Sequence, residues 1–456
     1  AILFHGTRDI PLQQTTEEQE MKESKYNLCL QDHTGMVIYN AKADEVIALN
    51  PQLAAIYEKG KDTPDTIGEK HPELFAYLVK KGVFVEDGTD ETADYIASQE
   101  KAEDEAGEFT ITVNPTLACN MKCWYCYETH KNMPAMSAEV KRAVIALVKK
   151  QAVSGETDKI NLSFFGGEPL LYFDKVVTDI INEAAQTCKE KRVALSIHFT
   201  TNAYLMTEQV LEQLKGLDAS FQITIDGNKN VHDTVRKTKN DEPTYSTIIK
   251  HIHLATFFGF PVGVRFNYTS RSLPSFIDVL SDFQDLPISQ KKLLNFTFQR
   301  VWQDHGGDAK QTEEKIAEIE RAFEEAGLFV NPSNDFTVPY CYADKKNTVV
   351  VNYNGDLYKC TARDFVSKNR EGTLTADGDI HWNDKYKKRL SIRHGSKFCR
   401  QCRIYPICHG GCSQMKLETT VAGTCPKGYG REKIEDILKR RALFILGQYK
   451  KRNGRQ

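Results

Sequence analysis

Three cysteines stand within eight residues, Cys119-Asn120-Met121-Lys122-Cys123-Trp124-Tyr125-Cys126, at C-x3-C-x2-C spacing just after a predicted strand. Iron in iron–sulfur cubes is held by cysteine sulfur, so three thiolates at this spacing can hold three corners of a [4Fe-4S] cluster. A fourth cysteine would close the site, and none follows until Cys188. One iron is then left open, as in metal sites that keep a coordination position for substrate or cofactor. A zinc site and plain burial are the other readings of the same residues. Structural zinc takes four protein ligands, and the nearest spare one is His130.

With Tyr125 before the last cysteine, this motif resembles the signature of the radical S-adenosylmethionine (SAM) enzymes. The resemblance implies that the open iron chelates the amino and carboxylate groups of SAM, with the aromatic residue near the adenine. Phe165-Gly166-Gly167-Glu168-Pro169 is similar to the family's GGEP motif, whose backbone and glutamate bind the methionine amino group. The glycines let backbone approach a ligand closely. Thr200-Thr201-Asn202-Ala203 ends a further strand with hydroxyl and amide groups suited to ribose or carboxylate. The family usually has glycine after this asparagine, so Ala203 puts the turn conformation in question. Thr224-Ile225-Asp226-Gly227, then His232-Asp233 and Arg236, is similar to the family run S-x-D-G…H-D-x-x-R, with threonine for serine. It implies Thr224 as a SAM contact; Asp226 and Arg236 either join it or hold a loop in place.

A second array reads Cys341-x13-Gly355-x4-Cys360, Cys399-x2-Cys402-x5-Cys408-x3-Cys412 and Cys425. Seven cysteines and one glycine in this order resemble the SPASM extension of radical SAM enzymes. Zinc knuckles also use C-x2-C pairs, but groups of four would leave three of the seven over. The resemblance implies two auxiliary clusters, an outer one on Cys399, Cys402, Cys408 and Cys425 and an inner one on Cys341, Cys360 and Cys412. The expected cofactors are therefore three [4Fe-4S] clusters and SAM. The inner set has only three cysteines, because Tyr342 to Thr348 adds none, and Cys188 and Cys29 would need a long reach. An inner position open to a substrate thiolate is expected.

Elements must position these groups. The chain has 456 residues, 40% apolar and 27% charged, with net charge −2, ordinary for a soluble protein and long enough for two or three cores. Nothing global points to nucleic acid or an acidic membrane surface, and no apolar run approaches the ~20 residues of a span. Ten of the twelve cysteines fall in the two arrays, which favours ligation over disulfides and a cytoplasmic, reducing compartment. Residues 1–25 read as a flexible lead-in. Three strands (Tyr26–Gln31, Met36–Ala41, Glu45–Asn50) precede three helices within 26–87, resembling the winged-helix-like module that binds leader peptides in ribosomal-peptide maturation. Such a module adds the peptide to a sheet edge; a cap with only a packing role is the other reading. Residues 88–108 are acidic and read as a linker or marginal helix.

From 109 to 310, six strands alternate with amphipathic helices, which predicts a parallel sheet with right-handed crossovers, an α/β fold. The resemblance makes it a partial (β/α)6 TIM-like barrel with its chemistry at the strand ends. A helical connector is expected at 311–337, the cysteine-rich SPASM domain at 338–430 and a C-terminal helix at 431–456.

The implied activity is reductive cleavage of SAM to a 5′-deoxyadenosyl radical that takes hydrogen from a precursor peptide and installs a thioether or carbon-centred cross-link. The implied partners are that peptide and an electron donor such as flavodoxin or ferredoxin. An anaerobic sulfatase-maturing enzyme, making formylglycine, is the alternative. That group carries an aspartate after the second SPASM cysteine, where this chain has Thr361, with Asp364 the nearest acid. A non-catalytic iron–sulfur relay is the third. The spacing identifies no catalytic base.

Overall fold

The computed structural model describes residues 20–129, 134–331, 340–419 and 425–453. His130 and nearly all of the expected lead-in lie outside the described residues. The chain divides into two compact units, one of Ala1–Glu105, Asn334–Asp344 and Lys388–Gln456, the other of Ala106–Ser333 and Lys345–Lys387.

In the first unit, β1 (Met21–Glu23) pairs antiparallel with β5 (Phe84–Glu86), so the end of the expected lead-in is a strand. β2 (Asn27–Asp32), β3 (Gly35–Asn40) and β4 (Glu45–Leu49) form an antiparallel sheet in the order β2-β3-β4. Helices Pro51–Gly60, Asp65–Lys70 and Pro72–Lys80 follow, two of them opened by proline, which gives up an N–H that has no helical partner in the first turn. Their apolar faces enclose Ile38, Tyr57, Leu78 and Phe84 in one core. The other sheet face, with Tyr26, Leu28 and Tyr39, packs against Ile437, Leu438 and Ala442 of the C-terminal helix Arg431–Asn453.

The stretch 88–108, expected as a linker or marginal helix, contains a 14-residue helix, Glu91–Asp104. Composition suggested solvation, but long-range partners anchor it. Asp90 caps it by accepting from the backbone N–H of Thr92 and Ala93. Buried Glu91 accepts from the Ser24 hydroxyl and the Lys25 N–H, and Tyr95 donates to the Pro406 carbonyl at 3.0 Å. Glu100 and Glu103 pair with Arg393. Each partner lies far away in sequence, where local composition carries no trace of it.

The second unit is built on an eleven-stranded sheet. Its parallel centre runs through β6 (Glu108–Val113), β7 (Lys159–Phe164), β8 (Ala194–Thr201), β9 (Ala219–Ile225), β10 (Val262–Tyr268) and β11 (Leu294–Arg300). At one edge lies β12 (Phe329–Val330). At the other, β13 (Thr348–Val351) joins β6 in parallel and continues through antiparallel β14 (Asp356–Tyr358), β15 (Gly372–Leu374) and β16 (Ile380–Trp382). The region 338–430, expected as one cysteine-rich domain, is thus divided: 345–387 belong with this sheet and the flanking residues with the first unit.

The strands alternate. Phe164, Phe199, Phe221, Val264 and Phe266 are fully buried against crossover-helix residues such as Val144, Leu147, Ile180 and Ile252. The intervening side chains, such as Asn161, His198, Gln222 and Arg265, are half-buried on the opposite face. A parallel sheet covered on both faces reads as continuous apolar runs. Here the helices cover one face, and the other is kept polar. The strand order is linear and does not close on itself, so the sheet is an open, singly wound relative of a barrel. The connection after β10 contains a 3₁₀ helix, Leu273–Asp282, where the alternation predicts an amphipathic helix.

Candidate active site at the strand ends

The cysteine loop leaves β6 and is gripped from two sides. On one side is the Gly166-Gly167 turn after β7. The Gly167 and Glu168 N–H groups donate to the carbonyls of Thr116 and Ala118, at 3.2 and 2.9 Å. A Cβ on Gly167 would sit 2.2 Å from the Ala118 oxygen, and Gly166 holds φ at +103°. These glycines are therefore required for packing against the cysteine loop, whatever they offer a ligand. On the other side Met121 bridges Thr238, while Lys122 N–H donates to the Lys237 carbonyl and Lys239 N–H to that of Asn120. That flank follows directly on Arg236.

Glu168 is buried, and its carboxylate accepts from Leu170 N–H at 3.0 Å, the Thr201 hydroxyl at 2.7 Å and Asn202 N–H at 2.8 Å. Burial pushes its carboxyl pKa up. Buried Pro169 opens the short 3₁₀ turn that follows. Asn202 in turn donates from Nδ2 to Asn120 Oδ1 at 2.8 Å and faces the Cys119 sulfur. The Glu168 carboxylate thus ties the turns after β7 and β8 together, and Asn202 joins them to the cysteine loop.

Ala203 holds φ at +59°, the left-handed conformation that glycine adopts freely. The turn the glycine would make is kept, at a conformational cost. Ala203→Gly is expected to raise stability by about 1 kcal/mol, read as a higher denaturant midpoint at unchanged m-value.

Tyr125 is the hub. Its hydroxyl donates to Asp226 Oδ1 at 2.6 Å and accepts from Arg236 Nη2 at 2.8 Å and Asn267 Nδ2 at 3.1 Å. Gln303 Nε2 donates to its carbonyl at 2.8 Å. Arg236 and Asp226 form a buried ion pair at 2.7 Å. Asp226 and Arg236 thus hold the cysteine loop through the Tyr125 hydroxyl. Asn267 and Gln303 escaped sequence reading. The only signal for Asn267, and for Arg265 before it, was a polar residue at alternate positions of an otherwise apolar strand. Trp124 and Tyr125 line a cavity of about 520 Å³ with Asp226, Asn267, Thr269 and Gln303. Thr224 lies on the polar face of β9, beside Arg265 in register.

His232, in the run expected to serve SAM, is fully buried and structural. Its Nδ1 accepts from the Asp226 N–H at 3.2 Å and its Nε2 donates to Thr244 Oγ1 at 3.2 Å, since that hydroxyl gives its own proton to the Arg236 carbonyl. Protonating Nδ1 would set two donors against each other. Burial accordingly lowers the His232 pKa to about 4. The unfolded chain takes up this proton near pH 6.5, so the contribution is complete above 6.5 and is lost as pH falls toward 4. At roughly 1.4 kcal/mol per unit it amounts to about 3 kcal/mol. His232→Gln should flatten the pH dependence of urea unfolding across that window while lowering stability at pH 7.5.

Burial raises the thiol pKa values of all three loop cysteines, Cys119 to about 12 and Cys123 to about 11. Among the described residues no three cysteine, histidine or carboxylate groups gather around a single-ion position.

In the first unit, Cys399, Cys402, Cys408 and Cys425 line one small cavity with Tyr405 and Pro426. Short helices at Lys397–Arg400 and Tyr405–Cys408 carry Cys399 and Cys408, with Ser396 capping the first by accepting from Cys399 N–H. Gly395 at φ +79° packs where a Cβ would lie 2.6 Å from that of Cys399. Cys341 and Cys412 belong to this unit and Cys360 to the other. Cys188 is a core residue behind the sheet, and Cys29 meets the Tyr57 hydroxyl at 3.6 Å.

Residues 113–269 match the Radical SAM superfamily. The central domain is a radical SAM domain. The chain is 26% identical over 294 residues to an uncharacterized protein of Methanocaldococcus jannaschii, covering 61% of this chain and 91% of that one. It is 22% identical over 348 residues to the cysteine-type anaerobic sulfatase-maturating enzyme of Clostridium novyi, covering 67% and 88%. Among solved structures it resembles anSMEcpe with bound AdoMet and Kp18Cys peptide (TM-score 0.57, 16% identity, 75% of this chain and 99% of that one). It also resembles Streptococcus suis SuiB bound to precursor peptide SuiA (TM-score 0.50, 18% identity, 91% and 99%). A radical SAM enzyme uses SAM and a [4Fe-4S] cluster, and the residues fit both. The loop supplies three thiols, the Asn120 Nδ2 beside Cys119 is buried without an acceptor, and the cavity adjoins Tyr125.

Proposed function

We propose that this radical SAM enzyme modifies a ribosomally made precursor peptide, binding its leader through residues 20–86 and installing a thioether or carbon-centred cross-link. The observation that carries the reading is the three-stranded sheet with its three helices ahead of the catalytic domain. Its edge strands β2 and β4 suit an added peptide strand held by backbone bonds. The likeness to a precursor-bound structure extends over 91% of the chain and supports it.

When bound, cluster and SAM supply hydrogen abstraction from unactivated carbon; the chain's residues bind, orient and exclude water. Cys119, Cys123 and Cys126 would hold the cluster. The backbone of Gly166 and Gly167 and the polar groups of Thr201, Asn202 and Thr224 would face SAM. Glu168 accepts three internal bonds and would offer SAM its remaining acceptor capacity. Tyr125, fixed by Asp226 and Arg236, holds the adenosine cavity in shape. Cys399, Cys402, Cys408 and Cys425 would hold an auxiliary cluster, and an acidic electron carrier such as flavodoxin would reduce the enzyme.

Sulfatase maturation is the second reading, favoured by the Clostridium novyi relative. Against it, Thr361 follows Cys360, and the nearest acid, Asp364, is engaged by Thr129 N–H and hydroxyl at 3.1 and 2.6 Å. The deciding experiment incubates anaerobically reconstituted enzyme with SAM, dithionite and either a cysteine sulfatase peptide or a short peptide encoded beside the gene. Loss of two hydrogens from the latter, dependent on its leader, supports the proposal. Formylglycine on the sulfatase peptide would replace it.

A further inference from the structure

The mouth of the cavity beside Tyr125 is aromatic. Trp124 lines that cavity and is 56% exposed, and Val301 and Gln303 line it from just past the end of β11. Between those two stands Trp302, 51% exposed. Its indole stacks on the ring of Tyr127, with centroids 5.6 Å apart and planes 25° from parallel. The Arg363 guanidinium lies 5.8 Å from the same indole, within reach of a cation–π contact. Two of the chain's three tryptophans thus sit at this one rim, each more than half exposed. Apolar side chains exposed singly are ordinary, whereas several at the lip of a cavity mark a surface that meets a partner.

The rim is also braced. The Tyr127 hydroxyl donates to the Thr361 carbonyl at 2.6 Å, and two residues on, Thr129 donates from its N–H and hydroxyl to Asp364 at 3.1 and 2.6 Å. Arg363 donates from Nη1 to the Ala362 carbonyl at 2.8 Å. From the other side Gln303 ties the residues after β11 to the Tyr125 carbonyl. Trp302 is therefore mounted between the cysteine loop and the segment after Cys360. Aromatic and arginine side chains fixed in advance make good anchors for a peptide, because they bury a large area with little freedom left to lose. A flat ring gains most from such a surface, since it can extend the stack offset or edge-to-face.

We propose that Trp302, with Trp124, Tyr127 and Arg363, is the subsite for an aromatic side chain of the substrate peptide, close in sequence to the residue that gives up hydrogen. This rests on the reading of the enzyme as a peptide maturase. The rim adjoins the cavity assigned to SAM, so a ring seated on it brings the neighbouring peptide backbone to the cavity mouth. The occupant is a residue of the modified segment and not of the leader, whose proposed site belongs to the other unit.

The test uses anaerobically reconstituted enzyme and the short peptide encoded beside the gene, whole and with each aromatic residue after its leader replaced in turn by leucine. Dissociation constants are measured by calorimetry with SAM present. One of the leucine replacements should weaken binding to wild type about fivefold. Trp302→Ala should weaken the whole peptide to a similar extent and show no further loss with that leucine peptide, the non-additivity of two groups in contact. Trp302→Phe keeps a ring and should retain most of the affinity. Arg363→Gln leaves the indole in place and supplies the same cycle should Trp302→Ala fail to fold. Additive losses overturn the subsite, as does a modified segment that contains no aromatic residue. So does an equal loss of SAM affinity in Trp302→Ala, read from the electron paramagnetic resonance signal of the reduced cluster, which would place the indole in the cofactor's site. A peptide bound and modified equally well by wild type and variants overturns the subsite alone. A wild type that cleaves SAM but neither binds nor alters the peptide would instead refute the maturase reading beneath it.

Discussion

Asp226→Ala is expected to destabilise the enzyme by about 3–5 kcal/mol, because it leaves the Arg236 guanidinium buried without its anion. The carboxylate is 2% exposed and bonds both Arg236 and the Tyr125 hydroxyl, so no solvent is at hand to replace it. The loss should appear in urea unfolding of the apo-protein, which separates it from any effect on cofactor binding. Asp226→Ala combined with Arg236→Met removes both charges, and much of the stability should return. The double variant would still lack the bonds that set Tyr125, so its affinity for SAM should remain low. Full recovery of SAM affinity would show that the network does not shape the cofactor cavity.

Cys123→Ser should have the largest effect on activity. It removes one of the loop's three sulfurs, and neither Cys188, sealed in the core behind the sheet, nor Cys29, in the other unit, is placed to replace it. Iron content after anaerobic reconstitution should fall by one cluster's worth. Release of 5′-deoxyadenosine under dithionite should drop on the order of 10⁶-fold or more, to background. Cys402→Ser, in the first unit's cysteine cavity, should also lower the iron content but leave SAM binding intact. If Cys123→Ser and Cys402→Ser behaved alike, the separate roles proposed for the two arrays would fail.

The chemistry was legible in the sequence because its donors are packed into short runs. Cys119, Cys123 and Cys126 share one loop, and a loop of that length holds its sulfurs near one another in almost any fold. The alternation in Val262–Tyr268 and its sister strands likewise reports a sheet with one apolar and one polar face, since side-chain direction along a strand has a period of two.

Tertiary structure decided which polar groups remain available to a ligand. Glu168 reads as a ligand-binding carboxylate in its motif, and the fold shows that it also joins two turns by accepting from Leu170, Thr201 and Asn202. His232, Asp226 and Arg236 turn out to be the internal frame of the cysteine loop. The distant partners that anchor the acidic helix Glu91–Asp104 were invisible for the same reason. Burial and hydrogen bonding depend on neighbours brought from distant parts of the chain, and spacing along the sequence records only which groups exist, while the fold determines which of them are already paired.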